Sequence, residues 1–405
     1  MRALETLPVE EMAGRVEKAR SAMLEIVPEP VNMLFFSRTA IYYFTGHWGA
    51  GVCFIPVQGK PILFCRRGIE RARMESPFPH ILPFRSYSDI LPALVDFGYT
   101  ALKTIGVEKK GLDWAMADRL QKSFPGVQCV SCDEVFSQAR AVKSDWELHK
   151  MTLAGQRHDH AIRRVLPERI RPGMSEWDIA MKTWQVFFEH GHQGMMRMQA
   201  AGEEIFLGHV AAGDSGNYPS VFNGPLGLRG THPACVHMGY RGKVWQENEP
   251  LILDCGFVLE GYHSDKTQTY WSKNNSVPPQ VQAAQQVCVE IEHELAALLR
   301  VGSVPEDLFV KAWDMAKAAG QEEGFMGLGG NKVAFIGHGI GLSVDELPVI
   351  AKKFRQPLQK NMTFALEPKI GIAGVGMVGV ENTFVVTETG GRRLSGSSDA
   401  IILVE

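Results

Sequence analysis

Met12, Val16, Ala19, Met23 and Ile26 recur three or four positions apart, a spacing that predicts an amphipathic helix over residues 9–26. Short apolar runs of strand length follow at VNMLFF (31–36) and GVCFIPV (51–57), and GKPILFC continues after a turn at Gly59. Helical stretches near 88–97 and 113–123 then alternate with the strand-like TIGVE (104–108) and VQCV (127–130). Strands alternating with helices predict an α/β domain. A longer helical pattern runs from Glu147 to Leu166 behind the turn-capable pair Ser144 and Asp145. The boundary is therefore expected at 140–145, giving domains at 1–142 and 143–405.

The second domain carries a faint internal repeat. IRPGMSEWDIAMKTWQVFFEHG (170–191) aligns without gaps with LRVGSVPEDLFVKAWDMAKAAG (299–320). Arg171, Gly173, Asp178, Lys182, Trp184 and Gly191 match Arg300, Gly302, Asp307, Lys311, Trp313 and Gly320. Each copy follows another helical stretch and precedes glycine-rich strands. A duplicated helix–helix–sheet unit is the expected architecture of residues 145–405.

Composition narrows the class. The 405 residues are 45% hydrophobic and 21% charged, values of a globular chain rather than of a disordered or collagen-like one. A net charge of -3 offers no basic excess for a nucleic acid. No apolar run is long enough to span a bilayer. The N-terminal MRALETLPVEEMAGRVEKAR has acids where a signal peptide needs a basic start and an apolar core, so a soluble, cytoplasmic protein is expected. Seven scattered cysteines do not form a disulfide framework.

Candidate chemistry concentrates in three segments. In LILDCGFVLEGYHSDKTQTYW (251–271), two strand-like runs flank a turn near Leu259, Glu260 and Gly261. Paired about that turn, Asp254 and Asp265 are expected to fall opposite each other on one sheet face. In TFALEPKIGIAGVGMVGVENTFVVT (363–387), Glu367 and Glu381 are symmetric about Gly374. Between the two pairs lies FIGHGIGLSVDELP (335–348), with His338 between glycines that allow close backbone approach. Carboxylates packed this closely repel and are costly to bury unpaired, and a bound cation resolves both problems. Four carboxylates and one imidazole suit two divalent first-row ions, with Mn, Co, Fe or Zn favoured over thiolate-selected metals.

The ordered set Asp254, Asp265, His338, Glu367 and Glu381 resembles the metal site of the pita-bread metalloenzymes. That family includes methionine aminopeptidases, aminopeptidase P, prolidases and creatinases. DCGFVLEGYHSDKTQT, GHGIGL and LEPKI fall in family order, and the first domain, with its string SRTAIYYFTG, is similar to the N-terminal domain of the creatinase–prolidase branch. The resemblance implies a creatinase-like α/β domain followed by a pseudo-two-fold α/β catalytic domain with metals between its halves. It implies a homodimer, and Glu367 as both ligand and general base. The expected activity is that of an Xaa-Pro dipeptidase or aminopeptidase acting on small peptides.

The chain also departs from that pattern. The peptidases use two further histidines near the substrate. His237 lies at a suitable distance before Asp254, with His232 and His209 as competitors. The other position, seven residues after His338, holds Asp345. An imidazole there can donate a hydrogen bond to a developing oxyanion, whereas an ionised aspartate favours a cationic substrate group or acts as a base. The family's Thr-Arg-Thr reads Thr267-Gln268-Thr269, which is expected to remove a charge beside the metals. In the glycine-rich loop 208–230, Tyr218, Asn223 and Arg229 are candidate pocket residues, joined by His232. These departures keep an alternative open: a creatinase-type C–N hydrolase, or an enzyme like the dimethylsulfoniopropionate lyases of this fold, acting on a cationic small molecule. Two other motifs carry less. Cys129 and Cys132 form a lone C-x-x-C, and GLGG (327–330) lacks the lysine of a phosphate loop.

Overall fold

Helix α1, Val9–Ile26, spans the residues whose apolar period predicts it and buries Met12, Val16, Ala19 and Met23. The computed structural model describes residues 3–100, 102–199, 205–396 and 398–405. It divides into two compact units, Met1–Arg140 and Ala141–Glu405. No helix among the described residues is long and apolar enough to cross a membrane.

In the first unit, α1 leads into β1 (Asn32–Phe35), α2 (Arg38–Thr45), β2 (Gly51–Ile55) and β3 (Ile62–Cys65). There follow α3 (Ile69–Glu75), β4 (His80–Pro83), α4 (Ile90–Asp96), β5 (Thr104–Val107), α5 (Trp114–Ser123), β6 (Gln128–Ser131) and α6 (Asp133–Ala141). The strands form one mixed sheet in the order β4-β3-β2-β1-β5-β6. Leu34, Phe54, Phe64, Ile90, Leu94, Ile105 and Leu120 build its core. SRTAIYYFTG is helix α2 with its punctuation. Ser37 caps the first turn through the Ala40 amide, and Gly46 stops the helix in a left-handed conformation at φ 73°.

The second unit opens on α7 (Asp145–His160), where Ser144 and Glu147 form a capping box. A π turn and a 3-10 turn continue the spiral to Glu168, which is why the helical pattern reads through Leu166. Helix α8 (Glu176–Glu189) starts on a second capping box, Ser175 with Asp178. Strands β7 (Gly208–Ala212), β8 (Leu251–Leu259) and β9 (Tyr262–Ser272) complete the first half. The second half repeats the order with α9 (Pro279–Leu298) and α10 (Pro305–Ala318). Laying 170–191 over 299–320 superimposes the first and last residues of α8 on those of α10. Strands β10 (Phe335–Gly339), β11 (Glu346–Ala351), β12 (Thr363–Leu366), β13 (Lys369–Ile372), β14 (Gly376–Gly379), β15 (Asn382–Val386), β16 (Gly391–Arg393) and β17 (Ile402–Val404) follow.

Each half packs its own core. Ile179, Val186 and Phe187 of α8 meet Leu253 and Phe257 of β8 in one. Ile291 and Leu295 of α9 meet Phe364, Leu366 and Phe384 in the other. The sheets run β17-β9-β8-β7 and β11-β10-β12-β15-β16, with β13-β14 as a separate ribbon. An isolated bridge between Thr267 and Glu381 joins the halves.

His263 on β9 ties this scaffold together. Its Nδ1 donates to the Gly341 carbonyl at 2.9 Å, and its Nε2 accepts from the Arg197 amide at 3.0 Å. Burial lowers its pKa from 6.5 to about 3. The folded protein therefore keeps this ring neutral, while the unfolded chain protonates it below pH 6.5. Its stabilisation is full above that pH and declines as the pH falls toward 3. His263→Asn retains a donor and an acceptor but does not titrate. Between pH 7.5 and 5.5, the stability gap between the variant and the wild type is expected to shift by about 1.4 kcal/mol in the variant's favour. Urea unfolding of both proteins at the two pH values measures it, and a pH-independent gap would contradict the assignment.

Candidate metal centre

The β8–β9 hairpin turns on two residues, Glu260 and Gly261, both at positive φ (51° and 84°). That is the requirement of a tight hairpin turn whose twist matches its strands. The turn is centred one residue later than a symmetric placement of the aspartates requires. Asp254 therefore pairs with Thr267, and Asp265 with Gly256. The expectation that the two aspartates stand directly opposite is corrected: they are diagonal neighbours. A partner shift of two positions leaves both on the same face, so they still converge.

In the second half, the β12–β15 and β13–β14 pairings share one register, with Leu366 opposite Asn382 and Lys369 opposite Gly379. Glu367 and Glu381 stand opposite each other between those pairs, about the turn at Gly374. His338 lies on β10, paired with Ala365 of β12. A Cβ on Gly337 would sit 2.4 Å from the Ala365 carbonyl oxygen, and one on Gly339 2.6 Å from that of Leu347. Both glycines are there because neighbouring backbone occupies the space of a side chain.

The five side chains meet. Ligand atoms of Asp265, His338 and Glu381 lie within 4.8 Å of one another, as do those of Asp254, Glu367 and Glu381. The His338 Nδ1 faces the Gly339 carbonyl at 3.1 Å. Donation there leaves Nε2 a lone pair, directed at Glu367 Oε1 (3.5 Å) and Glu381 Oε1 (4.0 Å). Thr267 Oγ1 donates to Glu381 Oε2 at 2.9 Å, and the Asp265 amide donates to Thr383 Oγ1. Burial first, and then the charge of Asp254, push Asp265 up to about 7. Burial and the charge of Asp265 likewise raise Glu381. These carboxylates cannot all ionise without more positive charge beside them. This donor set fits a divalent ion.

Lys369 is a residue that the sequence reading passed over. Its buried Nζ lies 2.9 Å from Glu367 Oε2, 2.9 Å from Glu381 Oε2 and 3.2 Å from Asp254 Oδ2. Burial opposes its charge, but the three carboxylates outweigh burial and raise its pKa. A partial signal was present in LEPKI, where Glu367 lies between β12 and β13 and Lys369 starts β13, two apart, the spacing that shares a face in an extended chain.

His209 pairs with Asp254 across β7 and β8 and is buried. His237 stacks on it, with ring centroids 5.9 Å apart and planes 13° apart, and meets the edge of Phe222. Burial lowers both imidazoles, His209 to about 4. Neither His209 Nε2 nor His237 Nδ1 has a hydrogen-bond partner among the described residues. His232 is exposed, and its Nδ1 accepts from the Ala234 amide within its own turn. Tyr218 and Arg229 form an exposed cation–π pair at 5.4 Å, with Arg229 also 3.6 Å from Asp214. Asn223 is exposed in the same loop.

Asp345 is tethered. Its Oδ1 accepts from the Gln199 amide at 2.8 Å, and the Gln199 side chain donates to the Asp345 carbonyl. The expectation that Gln268 removes a charge beside the metals is corrected. Alternation along β9 turns Gln268 away from the face of Asp265 and Thr267. There it meets Arg163 and the Ala400 carbonyl.

Two domain families match this chain. Residues 15–142 match the creatinase/prolidase N-terminal domain, and residues 149–388 match metallopeptidase family M24. The chain belongs to metallopeptidase family M24 and is a metal-dependent, peptidase-type hydrolase. It is 23% identical to an Xaa-Pro dipeptidase of Pyrococcus furiosus over 387 residues, 95% of this chain and 98% of the relative. Among solved structures, an Xaa-Pro dipeptidase from Bacillus anthracis superimposes with a TM-score of 0.81 at 20% identity, covering 97% of this chain and 100% of the other. The prolidase of Pyrococcus horikoshii OT3 gives 0.76 at 21% identity, covering 95% and 98%. At those identities the structural likeness concerns the fold.

Proposed function

We propose that this protein hydrolyses the amide bond of small Xaa-Pro peptides, using divalent metal held by Asp254, Asp265, His338, Glu367 and Glu381. The observation that carries the reading is the convergence of five ligand side chains from both halves, with the His338 ring fixed so that Nε2 faces the carboxylates. The oxygen-rich set with one imidazole favours Mn, Co, Fe or Zn. A divalent ion bound there supplies Lewis acidity and makes water nucleophilic near neutral pH.

The chain's own groups then divide the work. Glu367 is the general base that takes the proton of the attacking water, with Lys369 at 2.9 Å stabilising its charge. His237, kept neutral by burial and positioned by its stack on His209, donates to the developing oxyanion. Asp345 commits Oδ1 to the Gln199 amide and offers Oδ2 to the α-ammonium of a dipeptide. The same feature that kept a cationic substrate in view thus fits a peptide with a free amino end. Tyr218, Arg229 and His232 line the approach of the substrate. A homodimer in the cytoplasm belongs to this proposal, on the strength of the resemblance to the creatinase–prolidase branch.

Steady-state assays of an Xaa-Pro dipeptide panel with Mn- or Co-reconstituted protein test the reading. Turnover of about 1 per second or faster is expected. Asp345→Asn is expected to raise KM for dipeptides with a free amino group and to leave N-acetylated ones unaffected. Metal-loaded protein that turns over none of the panel would reject the peptidase reading.

A further inference from the structure

Lys369 bears on how many metal ions the centre can hold. Its side chain is fully buried, and its three short contacts are to Glu367, Glu381 and Asp254. Those same three carboxylates form one of the two clusters at this centre suited to an ion. An ammonium carries three N–H donors and no acceptor, so three carboxylate oxygens satisfy it and it offers no lone pair to a metal. A divalent ion on the same oxygens would approach each to about 2.1 Å. It would compete with the ammonium for those lone pairs and repel it within a water-poor site.

The other cluster contains no lysine. Glu381 gives Oε2 to Lys369 and to Thr267, and turns Oε1 toward His338 Nε2. Glu367 divides in the same way, with Oε2 on Lys369 and Oε1 3.5 Å from His338 Nε2. Each glutamate is shared between an ammonium on one side and an ion position on the other. Asp265 and His338 face only the latter position.

We propose that Lys369 is a built-in replacement for one ion of the metal pair, so that this chain binds a single divalent ion at Asp265, His338, Glu367 and Glu381. The inference rests on reading the cluster as a metal centre. It departs from the two ions that the resemblance and the count of carboxylates imply, and it gives Asp254 to Lys369 in place of a metal. One ion and one ammonium would divide between them the work of two ions, with Lys369 positioning Glu367.

Metal stoichiometry tests this without any substrate. Wild-type protein is loaded with Mn(II), freed of excess by gel filtration, and measured by elemental mass spectrometry and electron paramagnetic resonance. One Mn per chain is expected, with the hyperfine spectrum of an isolated ion. Lys369→Met, or Lys369→Gln where Met does not fold, is expected to take up a second Mn and give the spectrum of a coupled pair. Two ions in the wild type would overturn the proposal, as would a folded Lys369 variant that still binds one. No Mn in either protein would overturn the reading of the cluster as a metal centre. Should neither variant fold, the wild-type count and spectrum decide alone.

Discussion

Glu367→Gln is expected to lower kcat on an Xaa-Pro dipeptide by about 10³-fold, within the range that general-base catalysis supplies. Glutamine preserves the size of the side chain, and its amide oxygen still accepts a hydrogen bond from Lys369, so the fold has no reason to change. It cannot take the proton of the attacking water. The Oε1 that now faces His338 at 3.5 Å would also lose its negative charge. The loss should fall on kcat more than on KM, because the base acts in the transition state rather than on the bound substrate. Metal content measured on the same preparation separates the two roles of the residue. A variant that keeps its metal and loses turnover identifies the base, whereas one that loses both identifies chiefly a ligand. Retention of more than about a tenth of wild-type kcat with metal bound would remove Glu367 from the base role.

The fold was legible where one period ruled a long segment. Helix α1 begins and ends where its apolar spacing does, and α8 and α10 coincide under a repeat of only six identities. The β8–β9 hairpin was legible in kind and missed in register. Whether a turn closes on two residues or three depends on backbone angles at Glu260 and Gly261, and no apolar pattern encodes them. The glutamate pair was read in its correct register because Gly374, at φ 72°, centres the turn. The metal-type side chains stood out by their chemistry. Lys369 did not, because a lysine in a sequence is by default a solvated surface charge. Its two-residue spacing from Glu367 allows a shared face, and the fold shows that this face is a pocket of carboxylates. Gln268 misled for the mirror-image reason: adjacent to Thr267 in the chain, it lies on the opposite face of β9.

Arg393→Met is expected to destabilise the protein by about 3–5 kcal/mol, the cost of leaving a buried ion pair with one member. Arg393 on β16 bonds Glu292 of α9 at 2.6 Å and Asp399 at 2.7 Å. The Glu292 side chain has no solvent exposure and otherwise accepts from Asn382 at 2.9 and 3.0 Å. Asn382 adjoins Glu381, and its Oδ1 accepts from the buried Lys266, which adjoins Asp265. The network thus braces the backbone of one candidate ligand from each half. Burial already raises Glu292 to about 7 against the pull of Arg393, and removing the guanidinium raises it further. A carboxyl whose folded pKa lies above its unfolded value stabilises at low pH and loses that stabilisation as the pH rises through the folded value. The deficit of Arg393→Met should therefore be larger at pH 8 than at pH 6. Adding Glu292→Gln should recover most of it, since a neutral amide can still bond Asn382 without a countercharge. Urea denaturation of the wild type, the single variant and the double variant at both pH values measures all three expectations. If the single variant stays within about 1 kcal/mol of wild type at pH 8, the pair behaves as an exposed one, and the brace beneath the metal centre is not electrostatic.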